Sequence, residues 1–219
     1  MFRKKVNENR EILLQAFYNL EDKLTKNLTV DDIVIAFTAS DDKTNKLSSI
    51  YTLARHLAEE NERLLVVDAN LRDDELAELL SINSDRGFID VLLGDVHIED
   101  AVIKDKGHEN LHLLTSGRVA DYEDMYLEVE DIKNLFDDVS DRYDYVFVNL
   151  MENIDIAEAN MFASLADKLV VFTNQYAIDN NLLEKSIGQL EKANANILGI
   201  ILADYKYQEN ELDDLFGGR

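Results

Sequence analysis

The apolar residues of this chain fall into two patterns that alternate along it. Ile33–Phe37, Leu64–Val67, Leu111–Leu114, Tyr145–Val148, Leu169–Thr173 and Ile197–Leu202 are short, mostly apolar runs rich in Val, Ile and Leu. Runs of this kind without polar alternation predict strands buried on both faces, as in a parallel sheet. The segments between them carry helical spacing. Residues 7–26 place Leu13, Phe17, Leu20 and Leu24 on one stripe, with Ile12 and Ala16 beside it. Leu47, Ile50, Leu53, Ala54 and Leu57 form a second stripe; Met125, Val129, Ile132, Leu135, Phe136 and Val139 form a third, within a helix over 124–140. Further helices are predicted over 156–166 and 179–194, with shorter ones at Leu76–Leu80, from Gly87 to a stop at Gly94, and over Ile98–Ile103. Strands alternating with helices from end to end predict an α/β fold. The expected form is a doubly wound sheet of about six to eight mainly parallel strands, with helices on both faces and right-handed crossovers.

No linker, repeat or low-complexity stretch interrupts the pattern, so residues 1–219 are expected to form one domain, with a helix inside the leading 1–30 and a short acidic tail over 204–219. Composition narrows the function classes. The net charge of −23 opposes binding to nucleic acid or to an anionic membrane surface, and the basic cluster Arg3, Lys4 and Lys5 is too short to reverse that. No apolar run reaches the ~20 residues of a membrane span, and no signal-peptide core follows Met1, so a cytoplasmic protein is expected. The chain has no Cys, which excludes disulfides, thiolate metal sites and cysteine catalysis. It also has no Pro, for which we have no physical account. His56 sits in a helix, while His97, His108 and His112 lie in polar segments expected to be exposed; no metal site is predicted.

The stretch that organises the chain is the polar loop Thr38–Lys46 between the first strand and the helix from Leu47. Strand, loop, Lys and helix is the layout of a phosphate-binding P-loop. Such a loop uses glycines to turn backbone N–H groups toward phosphates, and a Ser or Thr after the Lys to bind Mg²⁺. This loop has no glycine, and Leu47 follows Lys46. Asp68 ends the second strand and Asn149 the strand from Tyr145; both positions face the crevice where parallel sheets bind ligands. Lys46, Asp68 and Asn149 are therefore expected to converge at one edge of the sheet.

Several stretches resemble the cytoplasmic domain of bacterial tyrosine kinases (BY-kinases) of capsule and exopolysaccharide synthesis, relatives of the ParA/MinD-like deviant-Walker ATPases. LLQAFYNLEDKL resembles that family's pre-strand helix and IVIAFTAS the strand leading to its P-loop. LLVVDANLR resembles its second Walker motif, VLLIDADLRRP. GFIDVLLGD and ENLHLLTSG resemble its GLSDVLLG and NLxVLPSG segments, and RYDYVFVN resembles its Walker B strand, YDYVIID. The likeness covers about residues 10–204 and implies a P-loop NTPase-like fold.

The functional positions of that family are matched less well. Ser40 opens the loop, Asp42 stands for Pro, Lys43 and Asn45 for Gly, and Thr44 for Glu. Lys46 is retained, Leu47 replaces the Mg²⁺-binding hydroxyl, and Ser48 follows one position late. Asp68 and Arg72 are retained, whereas Asn70 and Asn149 replace carboxylates. The oligomerising E-x-x-R-x-x-R motif falls near Gln15, Tyr18 and Glu21, and the tyrosine-rich tail is reduced to Tyr205 and Tyr207. The resemblance implies ATP and Mg²⁺ as cofactors of an active relative, with Lys46, Asn45, Ser48 and Asp68 as nucleotide-binding residues and Asp68 as the catalytic one. The departures, with Asp41 and Asp42 beside the place of an incoming triphosphate, lead to the expectation of no resident cofactor or metal and of a non-catalytic regulator or scaffold in polysaccharide biosynthesis. Its expected partner is a membrane-anchored polysaccharide co-polymerase or adaptor, which would bring it to the membrane without inserting it. The alternatives are an active tyrosine autokinase of that pathway and a ParA/MinD-like ATPase.

Overall fold

The computed structural model describes residues 18–118, 127–152 and 157–203. Residues 18–26 are helical and precede the sheet. The strands are β1 (Val34–Ala39), β2 (Leu64–Ala69), β3 (Ile103–Lys104), β4 (Leu111–Leu114), β5 (Tyr145–Leu150), β6 (Lys168–Thr173) and β7 (Ile197–Leu202). The helices are α1 (Leu47–Glu59), α2 (Glu75–Leu80), α3 (Phe88–Leu92), α4 (Ile98–Ala101), α5 (Val129–Ser140), α6 (Ala157–Leu165), α7 (Gln175–Asp179) and α8 (Leu182–Lys192). One seven-stranded sheet runs in the order β3-β4-β2-β5-β1-β6-β7. Every pairing is parallel except β3 with β4. The doubly wound α/β architecture expected from the sequence is the one observed.

The two sheet faces follow from side-chain alternation along each strand. On β1, Val34 and Ala36 join a core with Phe88, Ile132, Phe136 and Phe162, covered by α3 to α6 and α8. Ile35, Phe37 and Ala39 point the other way, into a core with Leu24 of the leading helix, Ile50, Leu53 and Leu57 of α1, and Leu76 of α2. Both faces are covered, so β1 and β2 are buried throughout, which is why their sequences read as unbroken apolar runs.

Four expectations are corrected. The helix expected over 179–194 begins only at Leu182, because Asn181 adopts a left-handed conformation, with φ of 56°, and a separate short helix, α7, precedes it and ends at Asp179. The helix expected over Ile98–Ile103 ends at Ala101, and Ile103 turns into the short antiparallel edge strand β3. Val129, placed by periodicity on the buried stripe of α5, is half-exposed in the first turn of that helix, while Ile132, Leu135, Phe136 and Val139 form the stripe. His112, expected in an exposed segment, is part-buried on β4, where its Nδ1 lies 2.7 Å from the Tyr143 hydroxyl. Leu13, Gln15, Phe17, Met125, Tyr205 and Tyr207 lie outside the described residues.

Candidate functional site

After β1 the chain builds toward one edge through β2, β4 and β3. It then returns to insert β5 between β2 and β1 before adding β6 and β7 on the other side. That reversal gathers the C-terminal ends of β1, β2, β5 and β6, where such sheets form their ligand crevice. Asp68 pairs in register with Asn149, and Phe37 with the same Asn149.

The loop after β1 folds around its own carboxylate. Asp41 is buried. Its Oδ1 accepts the Lys43 backbone N–H at 2.8 Å, and its Oδ2 accepts the Thr44 hydroxyl at 3.0 Å. Asn174, at the end of β6, donates Nδ2 to both Asp41 oxygens at 3.1 Å and to Thr44 Oγ1 at 2.8 Å. Its own Oδ1 accepts the Ala177 N–H at 2.9 Å and caps α7. The Ser40 hydroxyl lies 2.8 Å from that of Thr173. The sequence placed both Asp41 and Asp42 beside an incoming phosphate; only Asp42 lines the open cleft, and Asp41 is turned inward by hydrogen bonds from three donor groups, the Lys43 N–H, the Thr44 hydroxyl and the Asn174 amide. In a glycine-free loop, an internal anion gathers donors that a phosphate would otherwise attract.

Lys46 is 1% exposed, so it is not a solvated helix-start lysine. Its ammonium is hydrogen-bonded to Glu152 and lies 4.0 Å from Glu75 Oε2. Glu75 is the first residue of α2, where a carboxylate also suits the helix dipole. Asn149 Nδ2 donates to Glu75 Oε2 at 3.0 Å and to Asp68 Oδ1 at 2.8 Å. One amide thus bridges two carboxylates, which would repel each other without a cation between them. Asp68 is fully buried and also accepts the backbone N–H groups of Leu76, at 2.8 Å, and Asn70, at 3.2 Å. Burial pushes its carboxyl up to about 6, against the opposing pull of these hydrogen bonds.

The network runs from Glu152 through Lys46, Glu75 and Asn149 to Asp68. It brings together Lys46, Asp68 and Asn149. Asn45 and Ser48 stand apart from it on the cleft wall, where the Ser48 hydroxyl donates to Asn45 Oδ1 at 3.0 Å. Leu47 packs into the core under α1. The cleft beside the network has a volume of ≈ 730 Å³ and is bordered by Lys43, Lys46 and Arg72 against Asp42, Asp73, Glu75, Glu78 and Glu152. Acidic groups outnumber basic ones along this lining.

Sequence reasoning missed Glu75, Glu152 and Asn174. Asn174 carried a usable signal, since it ends a parallel strand as Asp68 and Asn149 do. Glu75 and Glu152 carried none, because only the packing of α2 and of the β5 exit against α1 aims them at Lys46.

A family model described as an AAA domain matches residues 33–200. The chain is 23% identical to the tyrosine-protein kinase ptk of Acinetobacter johnsonii over 152 residues, 69% of this chain and 21% of that protein. It is 25% identical to the succinoglycan biosynthesis transport protein ExoP of Rhizobium meliloti over 182 residues, 82% of this chain and 23% of that protein. It therefore spans only about a fifth to a quarter of the length of these relatives. MinD septum site-determining proteins are also similar to it. Among solved structures, the VpsO kinase domain superposes with a TM-score of 0.73 at 22% identity, covering 94% of this chain and 100% of that one, a likeness that shows the fold. With its sheet order, its loop-and-helix crevice and a family match over most of its length, the chain belongs to the AAA domain family.

Proposed function

We propose that this chain is a catalytically degenerate BY-kinase-like protein that acts as a regulator or scaffold in capsular or exopolysaccharide biosynthesis. The observation that carries this reading is the ion pairing of Lys46. The lysine that would meet a nucleotide's phosphates is buried against Glu152 and Glu75, so a ligand anion would have to displace two carboxylates of the chain itself. The remaining groups do not fit Mg²⁺, which needs hard oxygen ligands. Leu47 stands where a hydroxyl is required, and Asn149 turns its N–H donors, not its carbonyl oxygen, toward Asp68 and Glu75. Phosphoryl transfer rests on positioning and on neutralising phosphate charge, and here the loop lysine is already paired with carboxylates of the chain.

Such a protein acts by contact with other proteins. A membrane-anchored polysaccharide co-polymerase or adaptor is the partner we propose, holding a cytoplasmic chain at the membrane; among the described residues no helix is long and apolar enough to cross one. The kinship with ptk and ExoP supports the pathway. Titration calorimetry of the purified protein with ATP, with and without Mg²⁺, tests the reading. The expected result is no binding in the micromolar range in either condition. Micromolar Mg-ATP affinity would overturn it in favour of an active tyrosine autokinase.

A further inference from the structure

A second cleft, of ≈ 630 Å³, opens between the α3–α4 segment and α5. It shares no lining residue with the cleft beside Lys46. Its floor is apolar, with Val91, Leu92, Val96, Ile98 and Leu135, of which Val91 and Val96 are only part-buried. Its rim is acidic, with Glu99, Asp131 and Asp138. Among the described residues, Arg142 is the one Lys or Arg of the lining. Its guanidinium bonds Glu99 and, at 2.8 Å, Asp138, so it ties α4 to α5 while facing two carboxylates with a single charge. Asp131 is exposed. Glu130 and Asp137 on α5 and Asp100 on α4 add negative charge to the same two helices outside the lining, against Lys133 alone on α5.

We propose that this groove docks a cationic amphipathic helical segment of a partner protein. Its apolar side chains would cover Val91, Val96 and Leu135, and its Lys or Arg side chains would meet Asp131, Glu99 and Asp138. A groove between two helices receives a third helix through apolar anchors at helical spacing. Charge selects the occupant. The acidic rim repels nucleic acid and anionic lipid surfaces. A second copy of this chain, at a net charge of −23, would bring the same acidic rim toward itself. The proposal is independent of whether the loop after β1 binds nucleotide.

The test is fluorescence anisotropy with a labelled synthetic amphipathic peptide of Leu and Lys, ~18 residues long so that it spans several helical turns. It is run on the full chain and on variants whose folding is checked by circular dichroism. Asp131→Lys is expected to weaken binding by about tenfold, whereas Glu184→Lys, an equal charge change on the exposed face of α8, is expected to change it less than about twofold. Val96→Ser is expected to weaken binding even at ~0.5 M salt, where screening removes most of the surface attraction. Equal losses for Asp131→Lys and Glu184→Lys would show attraction to net charge alone and overturn the proposal. So would no measurable binding to the unsubstituted chain, or light scattering that shows a dimer abolished by Asp131→Lys.

Discussion

Asp68 concentrates the conflict built into this site. Its position at the end of β2 keeps it fully buried, and its nearest cation-like partner is the amide of Asn149 rather than a charge. With its carboxyl raised from 3.8 to about 6, the folded state binds this proton more tightly than the unfolded chain does. The stability it contributes is fully present below pH 3.8 and is lost as pH rises through about 6. A neutral amide escapes that loss and can still accept the Leu76 N–H. An Asn that keeps the Leu76 bond turns its own N–H donors toward the Asn70 N–H and Asn149 Nδ2, a cost independent of pH, so the stability of Asp68→Asn relative to the unsubstituted chain is expected to rise by about 1–3 kcal/mol between pH 4 and pH 8. Urea denaturation of both proteins at the two pH values measures this; equal offsets at both would contradict it. Asn149 shows the same logic at a neighbouring position. A carboxylate there would face Asp68 and Glu75, and the amide instead supplies N–H donors to both.

At the scale of elements, the loop after β1 is held by an element distant in sequence. Asn174 ends β6, caps α7 and clamps Asp41 and Thr44, so one side chain joins the β1–α1 loop to the β6–α7 turn. Asn174→Ala is expected to lose the cap and the loop bonds together and to lower stability by about 1–3 kcal/mol. Asn180→Ala, at the other end of α7, where the exposed side chain bonds the Tyr176 carbonyl oxygen, is expected to change it by less than about 0.5 kcal/mol. Chemical denaturation of the two variants checks the contrast. Another junction of this kind joins α3 to the loop after β4. A Cβ at Gly87 would stand 2.3 Å from the Gly117 amide nitrogen and from the Thr115 carbonyl oxygen, so the GFIDVLLGD and LLTSG segments meet backbone to backbone. Both were legible in the sequence as motifs; their mutual contact was not, because a glycine's reason for being glycine lies in what it touches.

At the scale of the molecule, the charge and the site bear on the same proposal: the chain carries a net charge of −23 and its loop lysine is paired with Glu152, both of which oppose the approach of a triphosphate. Acidic residues Glu209, Glu211, Asp213 and Asp214 follow Tyr205 and Tyr207 in the tail, and would repel the γ-phosphate of a donor. Incubation with Mg-ATP followed by intact-mass spectrometry is expected to show no added phosphate. A phosphate that disappears in a Tyr205→Phe/Tyr207→Phe double variant would restore an autokinase. In the leading helical segment 18–26, at positions aligned with the oligomerising motif, Glu21 lies 2.9 Å from His56 Nε2, and the Tyr18 ring packs edge-on against the same imidazole.

The sequence by itself determined the architecture. Strands buried on both faces must be continuously apolar, and covering helices must carry a stripe at helical spacing, so solvent exclusion writes both periods directly into the chain. It also determined where the crevice lies, because Lys46, Asp68 and Asn149 are polar residues at the ends or exits of otherwise apolar elements. Tertiary structure alone decided what those residues do to one another. Glu152 stands 106 positions from Lys46, and Asn174 stands 133 from Asp41, separations that carry no local pattern. An ion pair depends on distances of a few ångströms, which only the packing of α1, α2 and the ends of β5 and β6 sets.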